Sequence, residues 1–207
     1  MTHARARTGR DPRFVFPRLA RSVATCVLVA LPALAAGADA LETRLATCLA
    51  CHGEKGQSAT PEVPSLGGQP AFYLTVQLLM FRDRLRVVEL MNKMMAGFSD
   101  GDLQNMAKFI AQLPPPQPAG GSLDSDRMER GQTLAAQNRC NFCHQADYSG
   151  GQNVPRLAGQ REDYLVKTLR EYKYETRRGY DASMADVLYS VSDEQLPDLA
   201  YFLARFR

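Results

Sequence analysis

The sequence predicts an all-α protein built from two tandem copies of one small domain. Segments in the first half of the chain recur in the second half at an offset of 91 to 93 residues. Apolar residues in both halves recur at helical spacing, and no alternating pattern of the kind found in strands competes with it. A Pro- and Gly-rich stretch at residues 114–122 lies between the copies and is typical of a linker, stiff at its start and flexible at its end.

The strongest repeated segment is Cys-Leu-Ala-Cys-His at residues 48–52 and Cys-Asn-Phe-Cys-His at residues 140–144. This spacing is the attachment pattern of c-type haem, in which two thiols add to the two vinyl groups and the adjacent imidazole binds the iron. The pattern therefore predicts two covalently bound haem c groups. The expected residues are the thiols Cys48, Cys51, Cys140 and Cys143 and the iron ligands His52 and His144.

Two other interpretations of the cysteine pairs explain less. A thioredoxin-like pair should follow a strand, and no run rich in Val, Ile and Thr precedes either copy. A four-ligand zinc site built from the cysteines would leave both histidines without a role. Haem attachment accounts for all six side chains.

Residues 1–40 have the layout of a secretory signal peptide. Six arginines precede an apolar run from Val23 to Ala36, and small-residue cleavage sites follow at 36–38 and 38–40. The apolar run is short for a membrane span, although an uncleaved anchor stays open as an alternative. The signal peptide predicts export from the cytoplasm.

The positive charge of the chain resides in this leader. The whole sequence has 25 Lys and Arg and 22 Asp and Glu, of which six arginines and two acids lie in the first 40 residues. From Leu41 onward 19 basic and 20 acidic residues leave a net charge of −1, before haem propionates are counted. The basic composition therefore gives no reason to expect nucleic acid as a partner.

Three helices are predicted in the first copy. A short helix runs into Cys48, and a second covers about residues 71–84. A third begins after Ser99, which is placed to cap it, with Asp102 three residues further on.

The second copy repeats this order, with helices at about 128–138, 160–177 and 193–206. Gly131 lies nine residues before Cys140, where a glycine lets the first helix cross the last one closely. The first copy lacks a glycine at this place, and only a short helix fits there after a cut near Ala38 or Ala40. Looser helix packing is therefore expected in the first domain.

Methionine is the predicted ligand on the other side of each iron. After the leader, no histidine remains beyond the two in the haem motifs, so a second imidazole ligand is excluded within one chain, which leaves methionine, lysine or no distal ligand. Met184 is the only methionine after the second motif, in a segment expected to be a loop, eight residues before Ser192. Met91 lies eight residues before Ser99 and is the expected ligand in the first copy, with Met94 as the alternative.

Prolines after each motif are candidates for supporting the iron-binding histidines. The imidazole N–H of a haem ligand needs an acceptor, and the carbonyls of Pro64 and Pro155 are placed to provide one, 12 and 11 residues after their histidines. Loop shaping is the simpler alternative role for these prolines. Arg86 and Arg177 are candidates for pairing with haem propionates, or for ordinary solvated charge.

Together these segments resemble the cytochrome c4 family. The resemblance rests on the two haem motifs, the Pro-x-Leu-(Ala/Gly)-Gly-Gln segments at 64–69 and 155–160, the Tyr-Leu pairs that follow them, and the Met-to-Ser-Asp endings. It covers about residues 41–207. It implies two class I cytochrome c domains, each wrapped around one haem c. The resemblance further implies that the domains pack face to face about a pseudo-twofold axis, with the propionate edges of the haems close together.

The domain boundaries expected on this basis are 1–40 for the signal peptide, 41–113 for the first domain, 114–122 for the linker and 123–207 for the second domain. The resemblance implies a periplasmic carrier, soluble or loosely associated with the membrane surface. It takes electrons from a quinol-oxidising complex or dehydrogenase and passes them to a terminal oxidase.

No catalytic residue is predicted, because two strong axial ligands leave neither iron an open position for substrate. The alternative function is that of a dedicated dihaem electron-transfer subunit of a periplasmic dehydrogenase. A dihaem peroxidase would need an open iron and acid–base groups, for which the sequence offers no further histidine.

Overall fold

The computed structural model describes residues 33–177 and 182–207. Over these ranges the chain is helical, apart from loops and one isolated β-bridge between Gly151 and Val154. The helices in chain order are α1 (Ala33–His52), α2 (Ala71–Arg82), α3 (Glu89–Met95), α4 (Asp100–Ala111), α5 (Ser125–Gln137), α6 (Cys140–His144), α7 (Glu162–Lys173), α8 (Ser183–Leu188) and α9 (Leu196–Arg205).

Buried apolar side chains form two separate clusters, one for each half of the chain. The first draws on α1 to α4, and the second on α5, α7, α8 and α9 and the loops between them. Two cores rather than one confirm the all-α fold of two tandem domains. Domains of this size bury little apolar surface by themselves, so a porphyrin inside each one would add substantially to its core.

The start of α4 follows from its cap. The Ser99 hydroxyl accepts from the backbone N–H of Asp102 at 3.2 Å, and the Asp102 carboxylate accepts from the backbone N–H of Ser99 at 3.1 Å. These reciprocal bonds satisfy two amide groups that the first turn of a helix leaves open. The predicted cap is confirmed, and the apolar face that follows it packs against α2.

Gly131 allows α5 to cross α9 at close range. A Cβ atom at this position would lie 2.2 Å from the carbonyl oxygen of Asp198 and 2.6 Å from Cβ of Phe202. Real atoms do not approach so closely, so only glycine fits while the two helices keep this separation. The predicted close crossing in the second domain is confirmed.

At the front of the first domain, α1 extends into the predicted leader. It is 20 residues long and begins at Ala33, so a cut near Ala38 or Ala40 would leave the shorter helix that the sequence predicts. The alanine-rich stretch before the predicted cut favours helix and joins the motif helix without a break. The rest of the predicted leader, residues 1–32, lies outside the described residues. No helix in the described ranges has the length and hydropathy to cross a membrane.

Packing of α1 against α4 is sparser than packing of α5 against α9. Among the described side chains of α1, Leu45 joins the core and Arg44 lies over the ring of Phe98, 4.5 Å from its centroid. This matches the looser packing expected from the missing glycine.

The linker packs against both repeated segments. A Cβ atom at Gly67 would lie 2.1 Å from the carbonyl oxygen of Pro114, and one at Gly159 would lie 2.5 Å from that of Pro116. Gly68 and Gly159 also adopt positive φ angles of 64° and 74°, which other residues rarely do. The glycines that precede the two glutamines of the repeat therefore provide the surface on which the linker lies.

We expect Gly131→Ala to destabilise the second domain by about 1–3 kcal/mol, the usual range for overpacking. Gly101→Ala in α4 is the matched control, since a Cβ there meets only the Ser99 hydroxyl at 3.8 Å. The control should be neutral or stabilising by up to about 1 kcal/mol. Urea unfolding of the haem-loaded protein measures both changes, and equal stability of the two variants would contradict the close crossing.

Candidate haem-binding sites

The first haem motif forms the last turn of α1. Cys48 and Cys51 lie one helical turn apart, so both thiols are on the same side of the helix, and His52 is the final helical residue. The His52 side chain turns inward and is buried, while Cys51 is exposed. Nδ1 of His52 lies 2.8 Å from the carbonyl oxygen of Pro64.

The second motif has a short helix of its own, α6, which is separated from α5 by Arg139 in a left-handed conformation (φ 51°). Although the chain enters this motif from a turn and not from a continuous helix, the histidine and its proline carbonyl are arranged as in the first motif. His144 is buried, and its Nδ1 lies 2.8 Å from the carbonyl oxygen of Pro155. The structure thus places both sequence-predicted prolines beside the expected histidine nitrogens.

These contacts determine the proton position on each imidazole. A carbonyl oxygen only accepts, so Nδ1 must carry the proton and Nε2 is left to bind a metal. Burial lowers the pKa of His52, while the Pro64 carbonyl acts in the opposite direction. Burial therefore dominates and keeps the ring neutral, as an iron ligand must be.

None of the four motif cysteines forms a disulfide, so all four are available for thioether links to haem. Burial raises the pKa of the Cys48 thiol and that of the Cys140 thiol. The ranges described contain no group of three or more His, Cys, Asp or Glu side chains that could hold a metal ion.

The predicted distal methionines both lie in short helices that the sequence analysis did not predict. Met91 is in α3 and Met184 is in α8, and each is partly buried against the core of its domain. The loop expected around Met184 is therefore wrong from Ser183 onward. Helices of six or seven residues are too short for a clear apolar period. Residues 178–181 of the expected loop lie outside the described residues.

In the first domain the three methionines of α3 have different environments. Met95 is only 1% exposed and belongs to the core, whereas Met91 and Met94 are partly buried. The buried Asn92 fixes the helix between them, because its amide donates to the carbonyls of Phe81 and Arg86 at 2.7 and 2.8 Å. Asn92 was not predicted as a functional residue, because its only signal in the sequence is a polar side chain among methionines.

Two arginines lie beside Tyr164 where the domains meet. The Arg86 guanidinium contacts the hydroxyl of Tyr164 in the other domain at 3.5 Å, and Arg177 is 5% exposed beside the same tyrosine. Burial would raise the pKa of Tyr164, but Arg177 and Arg86 outweigh it and lower that pKa. Such surroundings suit carboxylate groups, as the haem propionates require.

The glutamines of the two repeated segments cross between the domains. The side chain of Gln160 accepts from the backbone N–H of Ser65 and donates to its carbonyl, both at 2.8 Å. Gln69 makes the same pair of bonds with the backbone of Arg156, both at 2.9 Å. The Gly-Gln pair is visible as a repeated element of the sequence, but the partner of each glutamine is not predictable from it.

The residues present therefore fit haem in both domains. Each motif offers two thiols on one side of a helix and a buried imidazole oriented by a backbone carbonyl. Each domain also has a partly buried methionine in a later helix, and arginines lie where the domains meet.

Comparison with known proteins agrees with this fit. The family model described as cytochrome c matches residues 34–114 and 128–206, one match in each half of the chain. Cytochrome c4 of Thiocapsa roseopersicina is 29% identical over 75% of this chain and 85% of that protein. The thiosulfate dehydrogenase electron acceptor of Thiomonas intermedia (strain K12) is 30% identical over 77% of this chain and 78% of that protein.

Among solved structures, reduced recombinant cytochrome c4 from Pseudomonas stutzeri is similar with a TM-score of 0.74 and 25% identity. The match covers 82% of this chain and 98% of that one. A duplicated family match and a shared two-domain fold agree with the two haem motifs. The chain therefore belongs to the cytochrome c family and carries two covalently bound haem c groups in the two-domain form of the cytochromes c4.

Proposed function

We propose that this dihaem electron-transfer protein works in the periplasm, accepting electrons from a quinol-oxidising complex or dehydrogenase and passing them to a terminal oxidase. The observation that carries the proposal is the duplicated geometry of a buried histidine whose Nδ1 lies 2.8 Å from a proline carbonyl. When bound, each haem supplies one-electron chemistry by exchange between ferric and ferrous iron. The chain's own residues orient the ligands and exclude water.

The proposed ligand sets are His52 and Met91 in the first domain and His144 and Met184 in the second. Thioethers link the haems to Cys48, Cys51, Cys140 and Cys143, and Pro64 and Pro155 orient the histidines. Partial burial of both methionines on short helices supports the sets. With both axial positions filled, neither iron would bind a substrate, and the protein would act as a carrier rather than as an enzyme.

The proposed compartment rests on the leader pattern of residues 1–40, whose layout is that of an export signal. The proposed mature protein then consists of domains 41–113 and 123–207 around the linker 114–122. It would be free in the periplasm or held loosely at the membrane surface, with redox proteins as its partners and no nucleic acid.

A second candidate is a dedicated electron-transfer subunit of a periplasmic dehydrogenase. The observation that favours it is the 30% identity to a thiosulfate dehydrogenase electron acceptor over most of both chains. The same two haem sites would then serve one enzyme instead of exchanging between several partners.

We expect Met184→Ala to remove about half of the near-infrared sulfur-to-iron band of the oxidised protein and to lower one reduction potential only, because the other haem keeps its thioether. Met91→Ala should act in the same way on the other haem. Met94→Ala is the matched control and should leave the band unchanged. Loss of the band in Met94→Ala, with none in Met91→Ala, would overturn the assignment in the first domain.

Electrons should also pass between the two haems within one molecule. The docked domains hold the sites together, and a charge on one haem raises the cost of oxidising the other in a low-dielectric surrounding. Stopped-flow mixing with less than one equivalent of a one-electron oxidant should show re-equilibration at a rate independent of protein concentration. A rate proportional to concentration would mean that electrons move only between molecules.

Purification from the periplasm separates the two candidate functions. A carrier should elute from gel filtration at the size of the free chain and reduce or oxidise several partners. A dedicated subunit should elute with one larger dehydrogenase subunit in fixed ratio and keep that ratio in high salt. The second result would replace the first proposal.

A further inference from the structure

The two cross-domain glutamines contact the same peptide groups that hold the haem histidines. The carbonyl of Pro64 and the N–H of Ser65 belong to one planar peptide unit. Its oxygen lies 2.8 Å from Nδ1 of His52, and its N–H donates to Oε1 of Gln160 in the other domain at 2.8 Å. One peptide therefore links the histidine of the first domain to a side chain of the second.

The same chain of contacts occurs in the opposite direction. The carbonyl of Pro155 lies 2.8 Å from Nδ1 of His144, and the N–H of Arg156 donates to Oε1 of Gln69 at 2.9 Å. Each histidine is thus linked to a glutamine of the other domain by hydrogen bonds on the two sides of a single peptide group. Because the same arrangement of histidine, proline peptide and glutamine occurs in both directions, a chance contact explains it poorly.

Burial keeps water from replacing these bonds. Ser65, Gln160 and Gln69 are 1%, 4% and 5% exposed. In each pair the glutamine amide also donates to the carbonyl of the residue whose N–H it accepts, at 2.8 and 2.9 Å. This second bond fixes which end of the amide faces the peptide N–H, so the oxygen is always the acceptor there.

The effect on the histidine follows from peptide resonance. A hydrogen bond accepted from the N–H draws electron density toward the carbonyl oxygen of the same unit, and bonds in such a chain strengthen one another. A more negative oxygen accepts more strongly from Nδ1–H, which makes the imidazole a more basic ligand. A more basic ligand favours ferric iron and lowers the reduction potential.

We propose that Gln160 and Gln69 are cross-domain positioning residues, each of which lowers the reduction potential of the haem in the other domain through the peptide that holds its histidine. The proposal rests on the proposed ligation of iron by His52 and His144. It makes the contact between the domains part of the tuning of both haems.

The test is Gln160→Met in the full haem-loaded protein, which keeps the approximate length of the side chain and removes its acceptor. The potential of the first-domain haem should rise, while that of the second stays at its native value. Gln69→Met should raise the second potential and leave the first. Redox titration followed by the paramagnetically shifted NMR resonances assigns each potential to its domain.

Gln57→Met is the matched control. Gln57 also makes two bonds to a backbone, accepting from the N–H of Gln117 at 3.1 Å and donating to its carbonyl at 3.3 Å, but touches neither proline peptide. It should leave both potentials unchanged. Equal shifts of both potentials in Gln160→Met, or a shift in the control of the same size, would show a general loosening of the domains and overturn the proposal.

Gln160→Glu tests the role of the acceptor. It keeps an oxygen for the Ser65 N–H, exchanges the donor to the Ser65 carbonyl for a second oxygen and adds a negative charge. The retained acceptor and the added charge both favour ferric iron, so the first potential should stay at or below its native value. A rise equal to that of Gln160→Met would show that the acceptor is irrelevant and overturn the proposal.

Separate measurements test the proposed iron ligation by the histidines and the proposed effect of the glutamines on the reduction potentials. Paramagnetically shifted ring protons of His52 and His144 in the unaltered protein report ligation directly. Their absence would overturn both the ligation and the proposal built on it. Their presence, with potentials that do not move in Gln160→Met and Gln69→Met, would overturn the tuning alone.

Discussion

The hydrogen bond from each haem-motif histidine to a proline carbonyl is the constraint on which the rest of the structure depends. The imidazole presents Nε2 only while Nδ1 has an acceptor, and a backbone carbonyl supplies one whatever the neighbouring side chains are. The loop that carries this carbonyl is closed four residues after the histidine. Gly56 accepts from two successive N–H groups of the first loop, and Tyr148 does the same in the second. Motif, loop and core are thereby joined in each domain.

Features with a local signal were predictable from the sequence. The cap at Ser99 requires only a hydroxyl and an acid three residues apart, and both are visible in the chain. Gly131 was recognisable because a lone glycine in a helical pattern has few other uses. The placing of Pro64 and Pro155 beside the histidines followed from their spacing after two copies of the same motif, which constrained each other.

Features that depend on distant packing or on very short elements were not predictable. Helices α3 and α8 are too short for an apolar period, so the environments of Met91 and Met184 became visible only with the cores assembled. Gln69 and Gln160 looked like parts of a repeat, because their partners lie in the other domain, 87 and 95 residues away in sequence. The spacing of apolar residues within one domain does not determine how that domain docks against the other.

The contact between the linker and the glycines of both repeats limits how the duplicated halves could diverge. The carbonyl oxygens of Pro114 and Pro116 lie against the Gly67 and Gly159 backbones, so a residue inserted between these prolines would displace at least one of the two contacts. The length of the linker at this point is therefore constrained by its contacts with both domains. The linker and the two repeated segments therefore form one packed joint rather than a loose tether between the domains.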